Sequence, residues 1–130
     1  MFELKKAMRV AASGMSAQSF RLRLVGENIA NVDTSGFQRK TVNFRNVVDR
    51  VRNVTTVKPG EVQLDRTDPR VTLDPGHPLA DDRGMVALSN VNPLIEIADA
   101  REAQRSYQTN LSIFDQARRM RSATLDLIRR

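Results

Sequence analysis

The stretch Ser89-Asn90-Val91-Asn92-Pro93 decides the fold, because neither glycine nor proline follows it before the last residue, Arg130. Asn92 can accept a hydrogen bond from a free N–H group of a first helical turn, and Pro93 loses no hydrogen bond at the next position. The pattern predicts one helix from Pro93 to Ile128, about 54 Å long at ~1.5 Å per residue. That length exceeds what the core helix of an ordinary globule of 130 residues needs.

The apolar residues of this helix form two seams, in each of which they recur in steps of three and four. The first seam comprises Tyr107, Leu111, Phe114, Leu125 and Ile128, and the second comprises Ile113, Ala117, Met120, Thr124 and Leu127. At roughly 100° per residue the seams lie about 110° apart. Two seams favour packing against more than one neighbour. A single wide stripe facing the core of a monomeric bundle is an equally compatible alternative. Arg118 and Arg121 interrupt the first seam, and we expect them to face an acidic or solvated part of a neighbour.

The beginning of the chain carries a matching pattern from Phe2 to Asn31. Its apolar positions alternate steps of four and three over four heptads, spoiled once by Gln18. They are Leu4, Met8, Ala11, Met15, Leu22, Val25, Ile29 and Val32. Gly14 and Gly26 weaken an isolated helix, which therefore needs a partner. We predict that the two terminal helices pack as an antiparallel, coiled-coil-like pair in a mainly α fold.

The segment between the helices changes character. Turn and cap residues, Asn31 and Asp33 to Gly36 among them, end the first helix, and Gly36 can adopt a positive φ at no steric cost. Short strand-like runs follow at 41–44, 54–57, 62–64, 71–73 and 85–88, with turn signals at Pro59-Gly60, Asp68-Pro69 and 74–78. Residues 46–54 could instead continue as helix. We predict three parts: residues 1–36 as an N-terminal helix and cap, 37–88 as a small irregular β or extended segment, and 89–130 as the C-terminal helix.

Composition excludes several classes of function. The chain has no cysteine, which rules out disulfides and thiolate chemistry, and its one histidine, His77, cannot form a typical metal site by itself. No nucleophile or phosphate-binding motif is present. Acids are plentiful, with Glu96 in the first turn of the predicted C-terminal helix, but the pattern forces none into an apolar pocket. We therefore predict no enzyme, no cofactor and no bound metal.

The formal charge of +6 comes from 21 Lys and Arg against 15 Asp and Glu. A basic helical nucleic-acid binder is the alternative function, and it would use Arg118, Arg119, Arg121, Arg129 and Arg130. The spacing of acids and bases favours a self-paired surface instead, since Asp115 precedes Arg118 and Glu102 precedes Arg105 by three residues. Lys5, Lys6 and Arg9 interrupt the apolar residues at the N-terminus, so we expect neither a cleaved secretory signal nor a membrane-spanning segment.

Both ends of the chain resemble a known family. Ala12-Ser13-Gly14-Met15-Ser16-Ala17-Gln18, followed by 28–31 and Gly36-Phe37, is similar to the N-terminal signature of bacterial flagellar rod and hook proteins. Ser89-Asn90-Val91-Asn92, followed by 105–110, resembles their C-terminal signature. The middle segment 74–81 and the short length are most like the proximal rod members. Phe37, Met85 and Thr109 depart from residues that are common in relatives.

The resemblance implies a structural subunit that pairs its terminal helices and stacks helically into the periplasmic drive shaft between motor and hook. It also implies export by the flagellar type III apparatus, and as neighbours other rod subunits, further copies of the chain and the adaptor to the membrane ring. The predicted assembly interface consists of residues from both ends of the chain. They are Leu4, Met8, Ala11, Met15, Leu22, Val25, Asn28, Ile29, Asn31, Gly36, Phe37, Asn90, Asn92, Tyr107, Asn110, Leu111, Ile113, Phe114, Ala117, Met120, Leu125, Leu127 and Ile128.

Overall fold

The computed structural model describes residues 2–129 as two long helices joined by two β-hairpins. In chain order the elements are α1 (Phe2–Ala30), β1 (Lys40–Asp49), β2 (Val54–Leu64), β3 (Val71–Leu73), β4 (Met85–Ala87) and α2 (Pro93–Arg129). Both predicted helices are confirmed to within one residue at each end. α2 begins as its sequence predicts, with the N–H of Leu94 donating to Oδ1 of Asn92 at 3.0 Å.

The helices pack side by side and antiparallel, as predicted. Near one end Asn28 of α1 contacts Glu96 of α2, and halfway along the pair Gly14 lies against Asn110. The buried residues between them are mostly small: Ala11, Ala17, Leu24, Val25, Ala103 and Ala117. Small side chains let two helix axes approach closely, so the contact is a narrow seam and not a broad core. A Cβ added to Gly14 would lie 2.6 Å from Nδ2 of Asn110, which shows how close the approach is.

The turn after α1 also follows the sequence prediction. Gly36 has a φ of 76°, the left-handed conformation that its lack of a side chain permits. Its N–H donates to the carbonyl of Leu88 at 3.2 Å. The carbonyl of Glu27 accepts from both the side chain and the N–H of Asn31, at 2.8 and 3.1 Å, at the end of α1.

The larger hairpin is more regular than the sequence indicates. β1 pairs antiparallel with β2 along ten and eleven residues, so the short runs at 41–44, 54–57 and 62–64 belong to two continuous strands. The prediction of a turn at Pro59-Gly60 is wrong, because Pro59 pairs with Phe44 inside the hairpin and Gly60 and Glu61 form a bulge opposite Asn43. A Cβ at Gly60 would lie 3.0 Å from the Asn43 carbonyl oxygen, which explains the glycine at this bulge.

The chain reverses after Asp49 instead. Oδ1 of Asp49 accepts hydrogen bonds from the N–H groups of Val51 and Arg52, each at 3.0 Å, and Asn53 has a φ of 51°. The alternative of a helical continuation over residues 46–54 is therefore wrong. The hairpin lies along α1, where the Val57 N–H donates to the Ser13 hydroxyl at 3.2 Å. α1 thus contacts both α2 and the hairpin.

The smaller hairpin of β3 and β4 is anchored near the C-terminal end of α1. Both strands were predicted, and they pair from Val71 with Ala87 to Leu73 with Met85. The Ser89 hydroxyl donates to the carbonyl of Val32 after this hairpin, and Ser89 is fully buried. The described helices include no segment long and apolar enough to cross a bilayer.

Candidate assembly surface and helix junction

The predicted interface residues differ in their exposure within the subunit. Ala11, Val25, Asn28 and Ala117 are buried, and the exposed ones are Ile29, Gly36, Asn92, Ile113, Met120, Leu127 and Ile128. The half-buried ones are Leu4, Met8, Met15, Leu22, Asn31, Phe37, Asn90, Tyr107, Asn110, Leu111, Phe114 and Leu125. The buried members hold the subunit's own helices together, and the exposed members are free to contact another molecule.

The two seams of α2 face different ways. Residues of the first seam are half-buried against α1: Tyr107 shares a surface depression with Leu22, and Phe114 shares one with Met8. In the second seam Ala117 is buried, whereas Ile113, Met120 and Leu127 are 46%, 52% and 70% exposed. These three residues form an apolar line on the outside of α2, which we name the outer stripe. No other described element of the subunit covers it.

At the opposite end of the helix pair, polar side chains join four parts of the chain. We name this cluster the helix junction; it contains Asn28, Arg39, Glu96 and Asp99. Glu96 is fully buried, and its two carboxylate oxygens accept from Nε of Arg39 and, at 3.2 Å, from Nδ2 of Asn28. Nη2 of Arg39 donates to Asp99 at 2.9 Å. The buried acid therefore has a cationic and a neutral donor, which offset the cost of removing it from water.

Asn28 ties the end of α1 to the start of β1. Its Oδ1 accepts from the Lys40 N–H at 2.9 Å, and its Nδ2 donates to the Lys40 carbonyl at 2.9 Å. The side-chain amide thus satisfies both backbone groups of Lys40, as a neighbouring strand would do. The third hydrogen bond of Asn28, to Glu96, continues the network into α2.

Arg39 is the cation at the centre of the junction. Partial burial works against its charge, but the hydrogen bond and negative charge of Glu96, with Asp99 and Asp65 nearby, raise the pKa of Arg39 above its ordinary value. The guanidinium therefore stays charged. Its backbone carbonyl accepts from the Asp65 N–H at 2.8 Å, which adds the end of β2 to the cluster.

Asn90 completes the junction from the α2 side. Its Oδ1 accepts from the Arg39 N–H at 2.6 Å, and its Nδ2 donates to the carbonyls of Asp65 and Thr67 at 2.8 and 3.1 Å. One amide therefore holds three separate chain segments. Asn28 and Asn90 were predicted as interface residues, and the structure gives both of them bonds within the subunit.

The sequence did not reveal the roles of Arg39, Glu96 and Asp99. In the sequence Glu96 looks like an ordinary acid of a first helical turn, and the pattern forces no acid into an apolar pocket. In the structure Glu96 is fully buried, with Arg39 and Asn28 as its partners. The available signal was local: Glu96 and Asp99 lie three residues apart on α2, and Arg39 follows a turn that returns the chain to α1. Within residues 2–129 no group of three or more metal-binding side chains comes together.

Comparison with known proteins identifies matching regions at both ends of the chain. A family model described as "Flagella basal body rod protein" matches residues 8–38, which include most of α1 and the turn after it. A second model, described as "Flagellar basal body rod FlgEFG protein C-terminal", matches residues 82–127, which include β4 and most of α2. Both matches include residues of the helix junction.

Curated relatives cover almost the whole chain. The flagellar basal-body rod protein FlgC of Agrobacterium fabrum is 45% identical over 99% of this chain and 98% of its own length. FlgC of Aquifex aeolicus is 34% identical, covering 88% and 89%, and FlgC of Salmonella typhimurium is 32% identical, covering 91% and 92%. The chain therefore belongs to the FlgC family of flagellar basal-body rod proteins.

Proposed function

We propose that this chain is a structural subunit of the proximal rod, which assembles through its terminal helices into the periplasmic shaft that transmits torque. The names of its relatives support a rod subunit. The structure adds a reason why the helices would pack against other subunits. The outer stripe leaves three large apolar side chains exposed along one line of α2, and burial of apolar surface stabilises association.

The end of α2 supports the same proposal. Leu127 and Ile128 are 70% and 71% exposed, although Ile128 belongs to the seam that elsewhere faces α1. A neighbouring subunit would bury this apolar end. The outer stripe is the observation that carries the proposal, because its three apolar side chains recur every seven residues along the second half of α2 and are exposed in the subunit.

The helix junction suits a torque-bearing part. It links the end of α1, the start of β1, the end of β2 and the start of α2 through hydrogen bonds to side chains that are buried or half-buried. A twist applied to the helix pair would therefore act on the hairpins through these hydrogen bonds.

The proposed partners are other rod subunits, further copies of this chain in a helical arrangement, and the adaptor between rod and membrane ring. Export would use the flagellar type III apparatus without a cleaved signal. No observation on the described residues favours the alternative of nucleic-acid binding, and one of its five arginines, Arg118, pairs with Asp115 at 3.5 Å.

A pair of substitutions on adjacent faces of α2 tests the proposal. Ile113→Asp places a charge on the exposed outer stripe, so the isolated subunit keeps its helix content while the rod fails to assemble and swimming is lost. Assembly is expected to fail because the substitution buries an unpaired charge at the contact between subunits. Leu111→Asp, on the half-buried seam, also lowers the stability of the isolated subunit.

Ser112→Asp is the matched control, because Ser112 lies between these residues and is exposed. Motility in soft agar and the presence of the protein in purified basal bodies are the two measurements. Normal swimming with Ile113→Asp would remove the outer stripe from the assembly interface. Absence of the unmodified protein from basal bodies would refute the function itself.

A further inference from the structure

A basic groove lies where the start of α1 meets the second half of α2. It has a volume of about 440 Å³ and is lined by Lys5, Met8, Arg9, Ala12, Phe114 and Arg121. Its surface therefore combines apolar side chains with three cations. We name it the basic groove.

The cations of this groove have no acidic partners among the residues that the structure describes. None of the ion pairs formed among residues 2–129 includes Lys5, Arg9 or Arg121. In addition, Nε of Arg121 is buried without a hydrogen-bond partner. A buried donor left unpaired is unfavourable, and a carboxylate that pairs with the Arg121 guanidinium at the groove would offset this cost.

The loop between β3 and β4 has the complementary composition. Residues 74–84 carry three aspartates and one arginine, and Leu79 among them is 67% exposed. Asp74 and Asp82 are exposed and take part in none of the ion pairs of residues 2–129. The loop thus presents one apolar side chain flanked by acids.

Internal hydrogen bonds already fix the shape of this loop. The Leu79 N–H donates to Nδ1 of His77 at 3.0 Å, and Oδ1 of Asp81 accepts from the N–H groups of Arg83 and Met85 at 2.9 Å. Gly84 has a φ of 75°, and a Cβ there would lie 2.9 Å from Cγ of Pro75. A loop held in one shape loses little entropy on binding.

The loop and the groove belong to opposite ends of one subunit. The β3–β4 hairpin is anchored at Val32, whereas Met8 lies 24 residues earlier, about 36 Å away at ~1.5 Å per helical residue. We propose that the basic groove of one subunit receives the β3–β4 loop of a second copy of this chain. Leu79 enters between Met8 and Phe114, and Asp82 faces the cations.

This loop–groove contact rests on the proposed function and adds to it a specific contact between two copies of the chain. Two different surfaces meet, so the contact is head-to-tail and can be repeated from one subunit to the next along a helix, unlike the contact of a symmetric dimer. One loop in one groove is a small interface, and its strength comes from repetition in the assembly. The isolated chain is therefore expected to remain monomeric.

The absence of cysteine permits a direct test by disulfide cross-linking. The Ala12→Cys, Leu79→Cys double variant is expressed in motile cells, and oxidised basal bodies are analysed for covalent dimers of the chain. The matched control replaces Leu79→Cys by Leu73→Cys, since Leu73 lies on the same hairpin and is 66% exposed. A disulfide requires Cβ atoms within about 4.5 Å, so only the first pair is expected to form dimers.

Charge exchange provides a second, independent measurement. Arg9→Glu and Asp82→Lys are each expected to reduce swimming, because like charges then meet in the groove. The double variant is expected to restore it. Both positions are exposed, so helix content measured by circular dichroism should stay unchanged.

The outcomes separate this inference from the proposed function. If the double variant is present in basal bodies but forms no dimers, the loop contact is overturned and the rod function is not affected. The same holds if the Ala12→Cys position forms a cross-link only to a different protein. A double charge variant no better than its single variants also overturns the contact. Absence of the unmodified chain from basal bodies overturns both.

Discussion

The two ends of the helix pair satisfy their polar groups in different ways. At the helix junction Asn28, Arg39 and Glu96 find partners inside the subunit. At the basic groove Arg121 keeps a buried nitrogen without a partner, and beyond it Leu127 is exposed. The junction is therefore complete in the single chain, whereas the other end is completed only by a neighbour. Substitutions at the junction should act on the isolated subunit, and those at the groove on the assembly.

The largest effect is expected at the junction. Glu96→Ala leaves Arg39 and Asn28 without their shared partner, and loss of one member of a buried ion pair costs about 3–5 kcal/mol of unfolding free energy. Urea unfolding of the isolated subunit, followed by circular dichroism, measures the change. Glu102→Ala is the control, since Glu102 is 67% exposed and lies 3.5 Å from Arg21, and such a pair contributes at most about 1 kcal/mol. Equal losses in both variants would contradict a buried network.

The second-largest effect on stability is expected to differ in sign between two glycines of α1. Gly14→Ala should lower the unfolding free energy by about 1–2 kcal/mol, because the new Cβ would lie 2.9 Å from Cγ of Asn110 and force that side chain to move. Gly26→Ala meets no atom within 4 Å, so its better helix propensity should raise stability by up to ~1 kcal/mol.

A double-mutant cycle sharpens this comparison. Adding Asn110→Ala to Gly14→Ala removes the crowded side chain, so the combined loss should be smaller than the sum of the single losses. Additive losses, measured by the same urea unfolding, would show that Gly14 does not depend on Asn110.

A stabilising change is expected halfway along α1. The Oε1 atom of Gln18 is buried without a hydrogen-bond partner, and Gln18 is the residue that breaks the heptad pattern. Gln18→Leu should therefore raise the unfolding free energy of the isolated subunit by about 1 kcal/mol, since it removes an unsatisfied acceptor and adds apolar contact. Thermal unfolding with Ser19→Leu as an exposed control checks this. A destabilised Gln18→Leu variant would indicate that Gln18 has an unseen polar partner.

The helices could be predicted from the sequence because their signals are local and repeated. Asn92 and Pro93 mark the start of α2, and the heptad spacing marks α1 as a helix. The spacing does not fix the buried face of α1, since Ala17 and Leu24 are buried outside the predicted positions and Ile29 is exposed. The larger hairpin could not be delimited in this way, since Pro59-Gly60 resembles a turn but lies inside β2, where Gly60 belongs to a bulge opposite Asn43. Its register depends on pairing between strands, and local composition does not encode it.

The helix junction could not be predicted from the sequence for a related reason. Its residues lie up to 68 positions apart, from Asn28 to Glu96, and each has an ordinary local role in a helix end or a first turn. The two seams of α2 were found from the sequence, but their orientation depends on which of them α1 covers. Arg118 and Arg121 are expected from the sequence to face an acidic or solvated part of a neighbour. Arg118 pairs with Asp115 of its own helix, and for Arg121 the expectation stays a prediction of the groove contact.

The smallest effect concerns Asp65 at the edge of the junction. The Thr67 N–H donates to its carboxylate at 2.9 Å, and this bond, with the Thr67 hydroxyl and the charge of Arg39, lowers the pKa of Asp65 below its ordinary value of 3.8. A lowered folded-state pKa contributes stability above the unfolded value, and that contribution is lost as the pH falls through the folded-state pKa. The contribution is at most about 1 kcal/mol, because the side chain is 26% exposed.

Asp65→Asn should remove this pH-dependent part. Compared with the unmodified subunit, the variant should be slightly less stable near neutral pH, and the difference should shrink as the pH falls below 3.8. Urea midpoints measured between about pH 6 and pH 3 decide this, with Asp68→Asn as an exposed control for the general effect of removing a charge. A constant difference across that range would mean that Asp65 acts by shape and not by charge. The junction would then depend on Glu96 and Asp99 alone for the negative charge opposite Arg39.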